Sequence, residues 1–295
     1  MKDFAGKVAV ITGAGSGFGA AFARRAHALG MKLVLADVQG DALDSQVRTL
    51  QGQGAEAIGV PCDVAVDADV ARLADSAYDR FGAVNLLFNN AGVAGAGGYL
   101  WEASEADWRW TLGVNLIGVA NGIRRFVPRM LAAGLGADSG HVVNTASIAG
   151  WLCAPLLGTY NASKAAVVSI SETLHHDLRL AGSSIGVSVL CPAFVPTAIF
   201  ASDRNRPAHL ANTSAPTASQ RLARAMGEKA VAGGRISADE IAVQTFDAVR
   251  AGRFFVFTHP QAMPLVRARL DAALAGAEPA DPYAGRPAAR PDPGA

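Results

Sequence analysis

Short apolar runs alternate along the chain with longer stretches in which apolar positions recur every three or four residues. The runs fall at 7–12, 32–36, 55–62, 84–89, 141–146, 185–191 and 254–257. Between them lie helical patterns near 18–29, 41–51, Asp67–Phe81, 104–133 and 159–181. Unbroken Val, Ile and Leu runs fit strands buried on both faces. Repeated strand–helix alternation fits a parallel, doubly wound sheet with helices on both sides. The pattern therefore predicts an α/β fold of about seven strands, continuous as one domain over residues 1–277.

Two segments depart from the alternation. Residues 198–217 carry Pro207 and Pro216 among Ser, Asn and Thr. They predict a mobile loop between the sixth strand and the next helix, of the kind that covers active sites. Residues 278–295 hold five prolines with Ala, Gly, Asp and Arg, which predicts a disordered tail.

Composition narrows the class. Of 295 residues 51% are hydrophobic and 17% charged, a balance that favours a large core. A net charge of +1 gives no reason to expect nucleic acid or an anionic membrane as partner. No stretch is long enough to span a bilayer. The first apolar run is too short for a secretory signal and is broken by Gly13 and Gly15. Cys62, Cys153 and Cys191 are scattered without metal spacing, which predicts reduced thiols in a cytoplasmic protein and no metal site.

The candidate chemistry lies at strand ends. Thr12-Gly-Ala-Gly-Ser-Gly-Phe-Gly19 follows the first strand and opens the first helix. Glycines admit a pyrophosphate close to the backbone, and a helix N-terminus offers free N–H groups. Asp37 ends the second strand, where a carboxylate can bind the adenosine ribose diol and repel a 2′-phosphate. Neither Ser16 nor Val38 is basic, so NAD is expected in preference to NADP. Further on, Tyr160 and Lys164 are one helical turn apart on one face. An ammonium near a phenol lowers the phenol pKa and suits it to general acid–base work. Ser147, thirteen residues before Tyr160, sits at the end of the fifth run, where ligands bind in open α/β sheets.

With these residues the chain resembles the short-chain dehydrogenase/reductase family over roughly residues 4–258. Five motifs match in the family's order: Thr12-Gly13-x-x-x-Gly17-x-Gly19, Asp63 in Cys62-Asp-Val64, Asn89-Asn-Ala-Gly92, Asn115 in Gly113-Val-Asn-Leu-x-Gly118, and Ser147 with Tyr160-x-x-x-Lys164. The resemblance implies a Rossmann-type fold of the single-domain branch. It implies a cofactor bound by Gly13, Ser16, Gly17, Phe18 and Gly19, by Asp37, Asp63 and Val64, and by Asn90, Ala91 and Gly92. Tyr160, Lys164, Pro192, Val195 and Thr197 complete that set, Thr197 at the carboxamide. It implies a catalytic tetrad of Asn115, Ser147, Tyr160 and Lys164 that moves hydride between NAD(H) and a secondary alcohol or ketone. In that scheme Tyr160 is the acid–base, Ser147 holds the substrate oxygen, Lys164 tunes the phenol, and Asn115 fixes a helix irregularity and a relay water. The family's paired helices imply a homo-oligomer, a tetramer.

Apolar residues beyond the tetrad suggest a substrate pocket of Ser147, Trp151, Leu152, Phe194, Ile199 and Phe200, with Pro155 and Leu156 beside it, for a hydrophobic or aromatic substrate. His259 is a candidate to reach a neighbouring subunit's site. One departure from the family is Pro192-Ala193, where its members commonly carry Pro-Gly. Two other readings stay open: a carbonyl reductase driven by NADH, and a dinucleotide sensor without catalysis. The intact tetrad argues against the sensor.

Overall fold

The computed structural model describes residues 1–283. Seven parallel strands form one sheet in the order β3-β2-β1-β4-β5-β6-β7. They are β1 Val8–Thr12, β2 Lys32–Asp37, β3 Ala57–Pro61, β4 Leu86–Asn89, β5 His141–Thr145, β6 Gly186–Cys191 and β7 Phe255–Phe257. The doubly wound expectation holds, with strand ends shifted by one or two residues.

Alternating residues send their side chains to opposite faces, and each face has its own core. Ala9, Ile11, Leu33, Leu35, Leu86 and Phe88 point to one side. There they meet α1 (Gly17–Ala28), α2 (Gly40–Gly52) and α9 (Ala238–Arg250) through Phe22, Leu43 and Phe246. Phe22 stacks on Phe88 with ring centroids 4.6 Å apart. Val8, Val10, Val34, Ala36 and Leu87 point to the other side. Their partners are α3 (Asp67–Phe81), α5 (Gly118–Ala132) and α7 (Gly158–Leu180), through Leu73, Phe126 and Leu178. The chain's start is fastened late in the sequence. Phe4 packs edge-on against Phe246 at 5.2 Å, and the Met1 amino group donates to Val249 O at 3.4 Å.

The strand order reverses at β1, which lies between β2 and β4. The loops leaving the carboxyl ends of β1 and β4 therefore diverge and leave a crevice, the usual ligand site of such sheets.

The pattern predicted one helix over 104–133. The structure divides it into α4 (Glu105–Leu112), a π-helical turn (Gly113–Ile117) and α5. Periodicity misses such a turn because a single turn of i→i+5 bonds is too short to stand out from the helical pattern on either side of it. α4 starts on a capping box, Ser104 with Asp107. The segment 198–217 is not plain coil: it holds 3-10 helices Ile199–Asn205 and Ala208–Leu210 before α8 (Ala218–Ala232). Among the elements that the pattern does not mark are α6 (Ala149–Leu152) and α10 (Met263–Leu274), and they pack together. Of the tail expected over 278–295, residues 284–295 lie outside the described part, and 278–283 form no helix or strand. Among the described residues no helix is long and apolar enough to cross a membrane.

Candidate active site

A cleft of about 750 Å³ opens along the carboxyl ends of the strands. At one end it is shaped by glycines. A Cβ on Gly13 would stand 2.9 Å from Ala91 Cα, and Gly13 has φ +65. Only a residue without a side chain lets β1 approach the segment after β4 this closely. A Cβ on Gly19 would stand 2.0 Å from Gly13 O, so Gly19 packs α1 onto the turn. Gly19 accordingly does not line the cleft, contrary to the expectation, whereas Gly13, Ser16, Gly17 and Phe18 do. α1 begins without a side-chain cap or an acid in its first turn. Its N–H groups remain available to an anion.

Thr12 ties this end together. Its hydroxyl donates to Phe88 O at 3.1 Å and accepts from Asn90 N at 2.9 Å and Ala91 N at 3.1 Å. Asn90 Nδ2 returns a bond to Thr12 O at 2.9 Å. Asp37 is buried, and its carboxylate accepts from Gly15 N at 2.8 Å and Gln39 N at 2.9 Å. Asp63 accepts from Ala65 N at 3.0 Å, and it lines the cleft with Val64. One cation reaches this end that the sequence did not place there. Arg204 Nε donates to Gln39 Oε1 at 3.0 Å from the far side of the cleft.

The middle of the cleft holds Ser147, Tyr160 and Lys164. Lys164 Nζ donates to Thr145 O at 2.8 Å and lies 5.7 Å from the centre of the Tyr160 ring. Burial pulls the Lys164 ammonium down to about 8, against an opposing influence of Cys191. Burial pushes the Tyr160 phenol above its ordinary value, while Ser147 acts in the opposite direction. Desolvation of the phenolate is the largest influence on this phenol. Ser147 Oγ accepts from Ala149 N at 3.1 Å and donates to Pro192 O at 3.3 Å.

Asn115 does not line the cleft. It is fully buried inside the π-helical turn, behind Gly92. Its amide pairs with the Val93 peptide, accepting from N at 2.8 Å and donating to O at 3.0 Å, and it donates to Ser163 Oγ at 3.0 Å. A Cβ on Gly92 would stand 3.4 Å from Asn115 Oδ1 and 3.5 Å from Lys164 Nζ. Gly92 therefore keeps the space between these two groups clear of any side chain.

The far end brings together Leu152, Phe194, Ile199 and Phe200, with Pro192, Val195 and Thr197 beside them. Trp151 is not among them. Its ring packs edge-on against Phe255 and Phe257, 5.7 Å from each, because α6 turns it toward the edge strand. Pro155 and Leu156 also point elsewhere, and Ala154 and Leu157 line the cleft instead. His259 lies in this chain's own cleft, which removes the need for a neighbouring subunit. Gln261, Leu265 and Pro282 add a wall that sequence reasoning missed. No motif marks them, since they come from the segment after β7.

The loop over this end is tethered. Asp107 is fully buried in α4 and pairs with Arg206 Nη1 at 2.7 Å. Burial alone would raise the Asp107 carboxyl, but hydrogen bonds from Ser104, Arg206 and Asn212 hold it below its usual value. Arg206 also donates to Leu210 O at 2.6 Å and lies over Trp110, 5.2 Å from the ring centre. Nearer α8, Glu102 accepts from the Thr217 hydroxyl at 2.8 Å and from Ser219.

Comparison with known proteins agrees with this geometry. Residues 7–208 match the family described as short chain dehydrogenase. A CLA biosynthesis dehydrogenase/reductase of Lactiplantibacillus plantarum is 35% identical over 92% of this chain and 94% of its own length. A C alpha-dehydrogenase of Sphingobium sp. is 41% identical over 70% of this chain and 67% of its own. The crystal structure of a short-chain dehydrogenase/reductase from Burkholderia phymatum, in complex with NAD, is 52% identical with a TM-score of 0.93, over 98% of this chain and all (100%) of that one. Agreement in sequence over most of the chain and in the course of the whole fold places the protein in the short-chain dehydrogenase/reductase family of oxidoreductases.

Proposed function

We propose that the protein interconverts a secondary alcohol and a ketone with NAD(H), Tyr160 acting as the general acid–base. The observation that carries this reading is the meeting of Ser147, Tyr160 and Lys164 on one wall of the cleft, beside a turn that glycines open to a dinucleotide. When bound, NAD supplies the hydride acceptor. The chain supplies the rest. Ser147 holds the substrate oxygen, and Tyr160 takes its proton. Lys164, braced on Thr145 O, keeps a cation beside the phenol. Asn115 holds the Val93 segment, and the gap at Gly92 leaves room for a water between Asn115 and Lys164.

Asp37 supports NAD over NADP, since its buried carboxylate would face a 2′-phosphate with like charge. Arg204 does not reverse this, because its guanidinium is already engaged by Gln39 and by the carbonyls of Ala198 and Ala201. The NAD in the Burkholderia relative points the same way. Phe194, Ile199, Phe200 and Leu265 around the far end favour a hydrophobic or aromatic substrate.

A second reading concerns direction: carbonyl reduction with NADH, in which the same phenol donates its proton to the carbonyl oxygen. A panel of aliphatic, aromatic and steroid alcohols and ketones, assayed with NAD⁺ and NADH, tests both directions. Dinucleotide binding without turnover on any member would overturn the catalytic reading in favour of a sensor. Residual apolar exposure at Ile117 and Leu131, on and beside α5, is consistent with the homotetramer that we also propose. Light scattering at micromolar concentration should give a tetramer mass, and a monomer mass would reject it.

A further inference from the structure

His259 follows β7 on the wall of the cleft and is buried. Its Nδ1 accepts the backbone N–H of Ala193 at 3.2 Å and lies 2.9 Å from Thr258 Oγ1. A ring nitrogen that accepts an N–H carries no proton itself, so the imidazole is neutral with its hydrogen on Nε2. Burial favours the same neutral form, while the Phe194 backbone favours the charged one. The ring thus faces two successive residues of one turn.

That turn, residues 192–195, is held from its other sides as well. Pro192 O accepts from Ser147 Oγ at 3.3 Å and from Ile148 N at 2.9 Å. Behind it Gly234 leaves no slack: a Cβ there would stand 2.8 Å from Phe194 O and 2.7 Å from Pro196 Cδ. These contacts fix the carbonyl of Pro192 and the back of the turn. The Ala193 N–H is fixed by His259. Without it a partly buried donor would lose its acceptor, which is unfavourable and favours rotation of the peptide.

We propose that His259 is a positioning residue. As a neutral acceptor it sets the Ala193 peptide, and through it the turn against which the nicotinamide end of the cofactor rests. The inference builds on the function proposed above and adds to it a residue that acts only through Ala193. Ala193 itself does not adopt a positive φ, so the turn needs no glycine there.

The test is equilibrium titration of NAD into the full-length protein, without substrate, together with the KM and kcat of turnover. His259→Phe keeps a ring but removes the acceptor. His259→Asn keeps an acceptor at nearly the position of Nδ1. The phenylalanine variant should bind NAD about tenfold more weakly and raise the KM for NAD more than it lowers kcat. The asparagine variant should bind within about twofold of the parent, at a similar unfolding temperature. Unchanged NAD affinity in His259→Phe would overturn the inference. So would equal weakening by both substitutions, which makes His259 a packing residue. If His259→Phe does not fold, His259→Asn decides alone: near-parent affinity supports the role and lost affinity rejects it. Failure of the parent itself to bind NAD would overturn the functional reading, and this inference with it.

Discussion

The two ends of the cleft are built by different means. The glycine end is made of strand termini and the turns that follow them within a few residues. Thr12, Asp37 and Asn90 join neighbouring strands through the backbone, and Gly13 and Gly19 set the spacing by what they lack. The far end is gathered from distant parts of the chain. Its loop is fastened to α4 by Asp107 and Arg206, 99 residues apart. Phe200 rests on Gly227, where a Cβ would stand 2.2 Å from the ring. α10 reaches it from beyond the sheet by packing on α6. An end set by the backbone can accept one ligand in one way. An end set by side chains and long-range ties can be reshaped without disturbing the other.

The seam between the ends should give the largest effect. Tyr160→Phe should lower kcat by roughly 10²–10⁴-fold while NAD titration stays within about twofold of the parent. Retained turnover would assign the proton to another group. Next comes the tether. Arg206→Met leaves the buried Asp107 carboxylate without its cation and should cost about 3 kcal/mol in denaturant unfolding. If the ends are separable, it should raise KM for bulky substrates and leave NAD affinity per folded molecule unchanged. A matching loss of NAD affinity would break the comparison.

Acid provides a control at the opposite, amino-terminal end of the strands. His141 opens β5, and burial holds its pKa down to about 3. Its folded pKa lies below the unfolded value near 6.5, so the unfolded chain binds the extra proton as pH falls. Stability should therefore be full above pH 6.5 and fall by about 1.4 kcal/mol per pH unit toward pH 3, with both ligands lost in step. His141→Gln should flatten that slope in urea titrations. The smallest effect concerns Asp37. NADP should bind roughly tenfold more weakly than NAD, about 1.4 kcal/mol, and titration showing parity would assign the pocket's charge to Arg204 instead.

The same division governs what the sequence discloses. Strand runs such as 32–36 and 185–191 are legible because a strand buried on both faces is mostly apolar. Gly13 and Asp37 are legible because their neighbours in space are also neighbours in motif. Trp151 misleads because two residues of α6 decide whether it faces the cleft or Phe257, and hydrophobicity serves both. Leu265 and Arg206 are silent, since nothing local records that residue 107 waits for residue 206. The π-helical turn is half legible: Asn115 stands in a motif, but its spacing reads as an ordinary helix.

The fastening of the first residues to α9 bears on how the chain is made. Synthesis runs from the N-terminal side, and the ring contact between Phe4 and Phe246 cannot form until Phe246 has left the ribosome. α1, which follows β1, packs on a helix completed only at Arg250. The nascent glycine end must therefore wait, with that side of α1 uncovered, for nearly the whole of translation. Such a chain is exposed longest to chaperones and to its own neighbours on the polysome, and truncation before residue 250 would leave that side of α1 without its cover.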